Sequence, residues 1–445
     1  MSAVTLPSIP IKPAGLLKIT LYAAAAMLWL GPVLGHLSEW YIGWPGDPQQ
    51  FMWYLGWFWH ALAAGENPFF TRQLNAPIGQ SLMWNTSVLA ESALLGWSMR
   101  WLPGAAVYNL LWIANWLCAC LLGDALLRDL GVRRWLAAAG GLLYGMMPYF
   151  TSQTLFHLHL WLTSVPLGLT LVLLRGIRQR PRHPWRYGMA IGGLAALQMY
   201  TSLEVAATYA LVAGIAALFT LITLQSRVRD VFPVSGRLVL SAILTTAILA
   251  LPGLVALMHG PGRPAGKLLP AQAYVNDLFT FFVPTPVYAL HNAWSTALSL
   301  AYTGNFWEND GYLGPAALLW IALAAIRLWR LPCARAALYT FLLVTLLSMG
   351  PTLHFAGWVT PLRLPWSLLE GVPFLESALP SRLMLYADGI AIALGVFALE
   401  VHLRKSRRRT SAHLLSFATL ALVAATWWPV TPYYHSATPD AARAL

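Results

Sequence analysis

An all-α polytopic membrane protein is what this sequence predicts, and three observations predict it. The chain is 58% hydrophobic and only 10% charged, with a mean hydropathy of +0.59. Its apolar residues fall in repeated runs whose length matches a bilayer core, about 20 residues per crossing. Arginines bound those runs on alternate sides, as the positive-inside rule requires. In hydrocarbon every backbone amide must find an internal partner, so such runs fold as helices. Residues 1–445 read as one membrane domain.

Taken in order, the runs place about eleven transmembrane helices. The first, over 17–36, is long for a signal-peptide core and lacks a convincing small-x-small cleavage site, so it reads as a retained anchor. Six more follow at 104–127, 135–150, 158–175, 187–203, 205–224 and 238–257. The last four are 312–329, 336–352, 382–402 and 411–430. On this assignment 21 of the 28 basic residues share one side, including Arg175 to Arg186 and Arg404 to Arg409. That side is cytoplasmic, which puts the N-terminus inside and the C-terminus outside. The net charge of +12 is then a topology signal and not a nucleic-acid footprint. Residues 88–102 are apolar enough to resemble a further crossing. Counting them as one would turn Arg175 to Arg186 outward, and they contain Glu91 and Arg100, so they read as an interfacial or half-inserted helix. Many of the 22 tryptophans sit at the expected membrane boundaries.

Long loops lie on the outer side only, at 37–103, 258–311 and 353–381, so the functional surface belongs there. Within the first, residues 38–86 are dense in Trp, Tyr, Pro, Asn and Gln, and Asp47 opens an amphipathic stretch in Gly43-Trp-Pro-Gly-Asp47-Pro48. Asp47 has two readings: a chemical group, or the N-cap of a helix starting at Pro48. His157 and His159 lie in the second external loop, where they can orient a ligand, take a proton, bind a metal or simply hydrogen-bond locally. Glu204 lies between two apolar runs, where an unpartnered acid is costly, unless it sits in a solvated turn. Glu308 and Asp310 precede a helix, either complementing its dipole or lining a pocket that faces Asp47. Cys118, Cys120 and Cys333 form no disulfide framework, and the sequence holds no Walker loop, dinucleotide fingerprint or His-Glu-x-x-His.

Several short motifs recur in a telling order. They are Gly46-Asp47-Pro48, Trp57-x-x-His60-Ala-Leu, Gly65-x-Asn67-Pro68-Phe69, Pro77-x-Gly79, Trp307-Glu308-x-x-Gly311-Tyr312-Leu313-Gly314 and Leu379-x-x-Arg382. With the first helix, the long external loop and the interfacial segment, they give a pattern that resembles the GT-C superfamily of glycosyltransferases using polyprenyl-phosphate sugars. The resemblance implies a GT-C-like bundle in a bacterial inner membrane. It implies an inverting enzyme that moves a sugar from a polyprenyl-phosphate donor to an envelope glycan or lipid acceptor outside.

The phosphate leaving group of such a donor needs no general acid, so one carboxylate base suffices, unlike the carboxylate pair of a glycosidase. The resemblance assigns that base to Asp47. Many GT-C enzymes place another acid in the second external loop; here that loop offers His157 and His159 instead, which weakens a metal-dependent version and favours a monophosphate donor. No cofactor is called for, and the lipid-linked sugar is a substrate. The lipid phosphate needs a cation, and Arg382 is the best placed, with Arg72, Arg263, Lys267 and Arg363 as the other outer cations. Arg382 can instead snorkel or pair with Glu376 or Asp388. Replacing it by Ala is expected to weaken donor use and leave the fold intact. Two other functions fit the same sequence: a transporter or flippase of a lipid-linked or amphipathic substrate, and a non-catalytic scaffold with this fold.

Overall fold

Every apolar run expected to cross the bilayer overlaps a helix in the computed structural model, which describes residues 13–179, 181–262, 270–373, 375–430 and 433–435. The chain opens with α1 (Pro13–Leu34), β1 (Trp40–Ile42), α2 (Asp47–Ala63), β2 (Phe70–Thr71), β3 (Gln80–Ser81) and α3 (Leu89–Leu95). There follow α4 (Gly104–Asp129), α5 (Arg134–Gly145), α6 (Pro148–Gln153), α7 (Leu158–Trp161), α8 (Ser164–Arg178), α9 (Pro184–Thr201), α10 (Leu203–Leu224), α11 (Val228–Val231) and α12 (Gly236–His259). The rest comprises α13 (Ala293–Ser299), α14 (Gly314–Leu328), α15 (Pro332–Ser348), β4 (Thr352–Phe355), β5 (Trp358–Arg363), α16 (Met384–Lys405), α17 (Arg409–Thr426) and β6 (Tyr433–His435). Among the described residues five helical segments are long and apolar enough to cross a membrane: Gly104–Asp129, Leu158–Arg178, Leu203–Val231, Gly236–His259 and Pro380–Lys405. Three shorter apolar helices join them, at Leu17–Gly31, Gly314–Leu328 and Pro332–Ser348.

Close helix contact is bought by small residues, as expected where lipid offers no hydrophobic drive. A Cβ on Gly141 of α5 would stand 2.5 Å from the Cys120 carbonyl of α4, and one on Gly192 of α9 would stand 2.6 Å from the Ala242 carbonyl of α12. Pro252 interrupts the hydrogen-bond ladder of α12. Tyr200 repairs the adjoining turn: its hydroxyl accepts from Gly253 N and donates to the Leu249 carbonyl, both at 2.9 Å. The core is aromatic near α1, where Trp29 meets Trp112 at 5.1 Å and Trp112 stacks on Trp161 at 4.1 Å.

Residues 88–102 do not cross. They form the seven-residue α3 and a 3-10 turn at Gly96–Arg100, far short of a bilayer core at about 1.5 Å per residue. Glu91 of α3 is buried against α9 and accepts a hydrogen bond from Thr201 Oγ1 at 2.7 Å.

Ion pairs mark the two ends of the bundle. At one end Asp124 binds Lys18 and Arg128, Glu400 binds Arg133 and Arg404, and Asp129 binds Arg175. The basic partners are among those assigned to the cytoplasmic side. The other end carries the loops and the three short antiparallel sheets, β1 with β6, β2 with β3, and β4 with β5.

Candidate active site

At the loop end, Gly43 takes φ +115°, a left-handed conformation that favours glycine. It also presses on the segment between α6 and α7: a Cβ here would stand 2.5 Å from the Leu155 carbonyl, and Trp44 N donates to that carbonyl at 2.8 Å. The contact carries the start of α2 to His157. Asp47 is the first residue of α2, not its cap; Gly46 at φ +128° holds the cap position, and Gln49 Oε1 accepts from Gly46 N at 3.3 Å. The N-cap reading is thereby corrected, and the Asp47 carboxylate is left half-exposed at the surface of the site, 47% accessible.

Four elements bring charged groups to this point. His157 Nε2 lies 3.4 Å from Asp47 Oδ2 and 3.5 Å from Glu308 Oε1. Glu308 forms a fork with Arg382, accepting from Nε at 3.1 Å and from Nη2 at 2.5 Å. Arg382 Nη1 donates to Glu204 at 2.5 Å, and Glu204 also accepts from Leu379 N at 3.0 Å. Gln153 Nε2 donates to both Asp310 oxygens at 2.8 Å, while Gln153 Oε1 lies 2.7 Å from His157 Nδ1. Asp47, His157, Glu308, Arg382, Glu204 and Asp310 thus belong to one connected cluster. The partners of Arg382 are Glu204 and Glu308, in place of the Glu376 or Asp388 considered from sequence. Three of its five N–H groups are engaged in these bonds.

The acids before α14 do not serve its dipole, because the helix begins at Gly314 with no acid in its first turn. Glu308 and Asp310 are instead buried. Burial would raise the Glu308 carboxyl, but Arg382 and then His157 hold it below its usual range. Among the described residues no cation pairs with Asp310, and burial and the Glu308 charge push it well above the carboxylate range. Burial lowers the basicity of His157, against the pull of Glu308.

The remaining candidates stand apart. His159 is buried, with its ring 5.4 Å from Phe51, and neither ring nitrogen has a hydrogen-bond partner among the described residues. Arg72 is exposed just after β2, and Arg363 is exposed at the end of β5; no described contact joins either to the cluster. Arg263 and Lys267 lie outside the described residues. Sequence reasoning missed Gln153, whose amide links His157 to Asp310, and considered Asp388 only as a partner of Arg382; its Oδ2 instead accepts from Tyr149 N at 3.0 Å and so anchors α6. A rim of Trp44, Phe156, Phe306 and Trp307 borders the cluster, with ring centroids 4.6–6.3 Å apart. Beside the cluster an apolar cavity of about 490 Å³ begins at Phe150 and Tyr386 and runs between α4, α8, α10 and α16 to Val228 and Phe232.

No protein-family model and no curated protein sequence matches the chain. Solved structures do. The archaeal oligosaccharyltransferase AglB from Archaeoglobus fulgidus, in complex with an inhibitory peptide and a dolichol-phosphate, matches at 12% identity and a TM-score of 0.53, over 94% of this chain and 56% of that one. The apo oligosaccharyltransferase of the same organism matches at 14% identity and 0.51, over 94% and 56%. ArnT from Cupriavidus metallidurans bound to undecaprenyl phosphate matches at 14% identity and 0.46, over 91% and 63%. The chain spans less than two thirds of the length of each of these proteins. Over 94% of its length the chain shares the membrane fold of these oligosaccharyltransferase structures.

Proposed function

We propose that the protein is an inverting glycosyltransferase, moving one sugar from a polyprenyl-phosphate donor to an acceptor at the outer face of a bacterial inner membrane. The observation that carries this reading is the half-exposed Asp47 carboxylate at the edge of a buried ionic cluster, on the loop end of an apolar bundle. Asp47 is the base. It removes the proton of the acceptor hydroxyl as the hydroxyl oxygen attacks C1, while the phosphate departs with the bonding pair and needs no acid. The acceptor is a glycan or lipid of the cell envelope.

Arg382 is assigned to the lipid phosphate through the N–H groups not engaged by Glu204 and Glu308. Its pairing with two carboxylates leaves no net positive charge on the three groups, which favours the smaller charge of a monophosphate over a diphosphate. The apolar cavity suits an isoprenoid tail, since its lining reaches Tyr386, one turn from Arg382. The aromatic rim offers flat apolar faces to a sugar ring. An enzyme is favoured over a transporter because the charged cluster sits at one end of the bundle and not at its middle. Eleven crossings, with the N-terminus inside, complete the reading. Native mass spectrometry of the purified protein tests the donor class: a polyprenyl-phosphate adduct, weakened by Arg382→Lys, is expected, and bulk phospholipid alone would contradict it.

A further inference from the structure

Asp47 needs somewhere to put the proton it receives, and one neighbour can take it. His157 is nearly enclosed, 12% exposed, with Nε2 facing Asp47 Oδ2 at 3.4 Å and Glu308 Oε1 at 3.5 Å. Which ring nitrogen carries hydrogen is decided by Gln153. Its amide nitrogen lies 2.8 Å from both Asp310 oxygens and 3.4 Å from Glu308 Oε2. An amide oxygen turned to that side would face three carboxylate oxygens, and a single proton on Asp310 would relieve only one of those encounters. Gln153 Oε1 therefore faces His157, 2.7 Å from Nδ1, and accepts its hydrogen. A neutral imidazole has one N–H, so Nε2 presents a lone pair to two carboxylates. Both separations, 3.4 and 3.5 Å, exceed an ordinary N–H···O bond of about 2.9 Å.

We infer that His157, fixed in its Nδ1–H tautomer by Gln153, is a positioning residue that takes over from Asp47 the proton of the acceptor hydroxyl. The inference rests on the glycosyl-transfer reading above. The acceptor oxygen bonds to C1, the bond from C1 to the phosphate oxygen breaks, and its electron pair leaves on the phosphate. The hydroxyl proton passes to Asp47 and then to His157 Nε2, which becomes an imidazolium beside Glu308 while Asp47 returns to a carboxylate. From there the proton reaches water through Asp47, the exposed member of the pair. The groups that face His157 are Asp47 and Glu308, which favour the imidazolium, Arg382, which opposes it, and the His159 ring at 5.9 Å. Burial lowers the basicity of the resting ring.

The test uses the full chain in lipid nanodiscs with nitrogen-15-labelled histidine, read by NMR near neutral pH, with His157→Gln identifying the resonance. The expected spectrum has a protonated Nδ1 and a bare Nε2, and Gln153→Leu shifts it toward the Nε2–H form. A resting Nε2–H ring or imidazolium, or a spectrum indifferent to Gln153→Leu, would overturn the inference. In cells, His157→Gln should cut transfer about 100-fold, the low end for a proton-transfer group, with less loss as pH rises. If Asp47→Asn abolishes transfer and His157→Gln changes neither rate nor pH profile, the relay fails alone. If Asp47→Asn leaves transfer intact, the glycosyl-transfer reading fails whatever the NMR spectrum shows.

Discussion

Arg382 shows how far a side chain's role depends on what surrounds it. From sequence it is the best placed outer cation, and its replacement by Ala is expected to spare the fold. In the structure it pairs with both Glu204 and Glu308, which are largely withdrawn from water. Removing one member of a buried ionic set leaves uncompensated charge and costs about 3–5 kcal/mol. Arg382→Ala should therefore lower the unfolding midpoint of the purified protein sharply, and Arg382→Lys should lower it less, because the charge survives while the fork to Glu308 is lost. An unchanged midpoint for Arg382→Ala would contradict the pairing. The acids themselves were legible, because a carboxylate in so apolar a chain is conspicuous. Their partners were not: Arg382 is 178 residues from Glu204 and 74 from Glu308, and no periodicity reaches across such intervals. Gln153 escaped notice for another reason, since a neutral amide draws attention only once both its ends are seen to be engaged.

Among the elements, the segment from Gly43 to α2 and the short α3 do the positioning. Gly43→Ala would force a side chain into a left-handed backbone and against the Leu155 carbonyl. It should separate Asp47 from His157 and lower transfer at least tenfold, on the order of 1–2 kcal/mol, with the protein still inserted; full activity would show that this contact does not set the site. Burial of Glu91 in α3 raises its carboxyl to about 7. The folded state thus holds this proton more tightly than the unfolded chain does. The contribution is complete below the ordinary carboxylate range and is lost as pH rises through about 7, a change of about 3 kcal/mol. Glu91→Gln should flatten the fall in unfolding midpoint between pH 5 and 8, and parallel curves for the two proteins would exclude Glu91 as the cause. Helix positions were readable because apolar length and bounding arginines are strong signals. The α2 start was misread by one residue, since Asp-Pro also fits a cap, and only the Gly46 backbone decides it.

At the scale of the molecule, the charge pattern and the fold agree. Asp124, Asp129 and Glu400 pair with inner bases at one end, and the site gathers at the other. An impermeant maleimide should label Glu66→Cys in intact cells, and should label the exposed native Cys333 only after permeabilisation. The reverse pattern would invert the topology and remove the site from the outer face. The bundle was legible as a set of helices, and its family likeness through the order of short motifs. What the sequence withheld was the meeting of α2, the α6–α7 turn, the loop before α14 and the start of α16 around one histidine.

The central claim is that Asp47 performs the chemistry of sugar transfer. Mass spectrometry of envelope glycans and lipids from cells carrying the native chain, Asp47→Asn or neither tests it most directly. The account predicts one sugar present with the native chain and missing with Asp47→Asn at equal protein level; a full complement of that sugar with Asp47→Asn would contradict it.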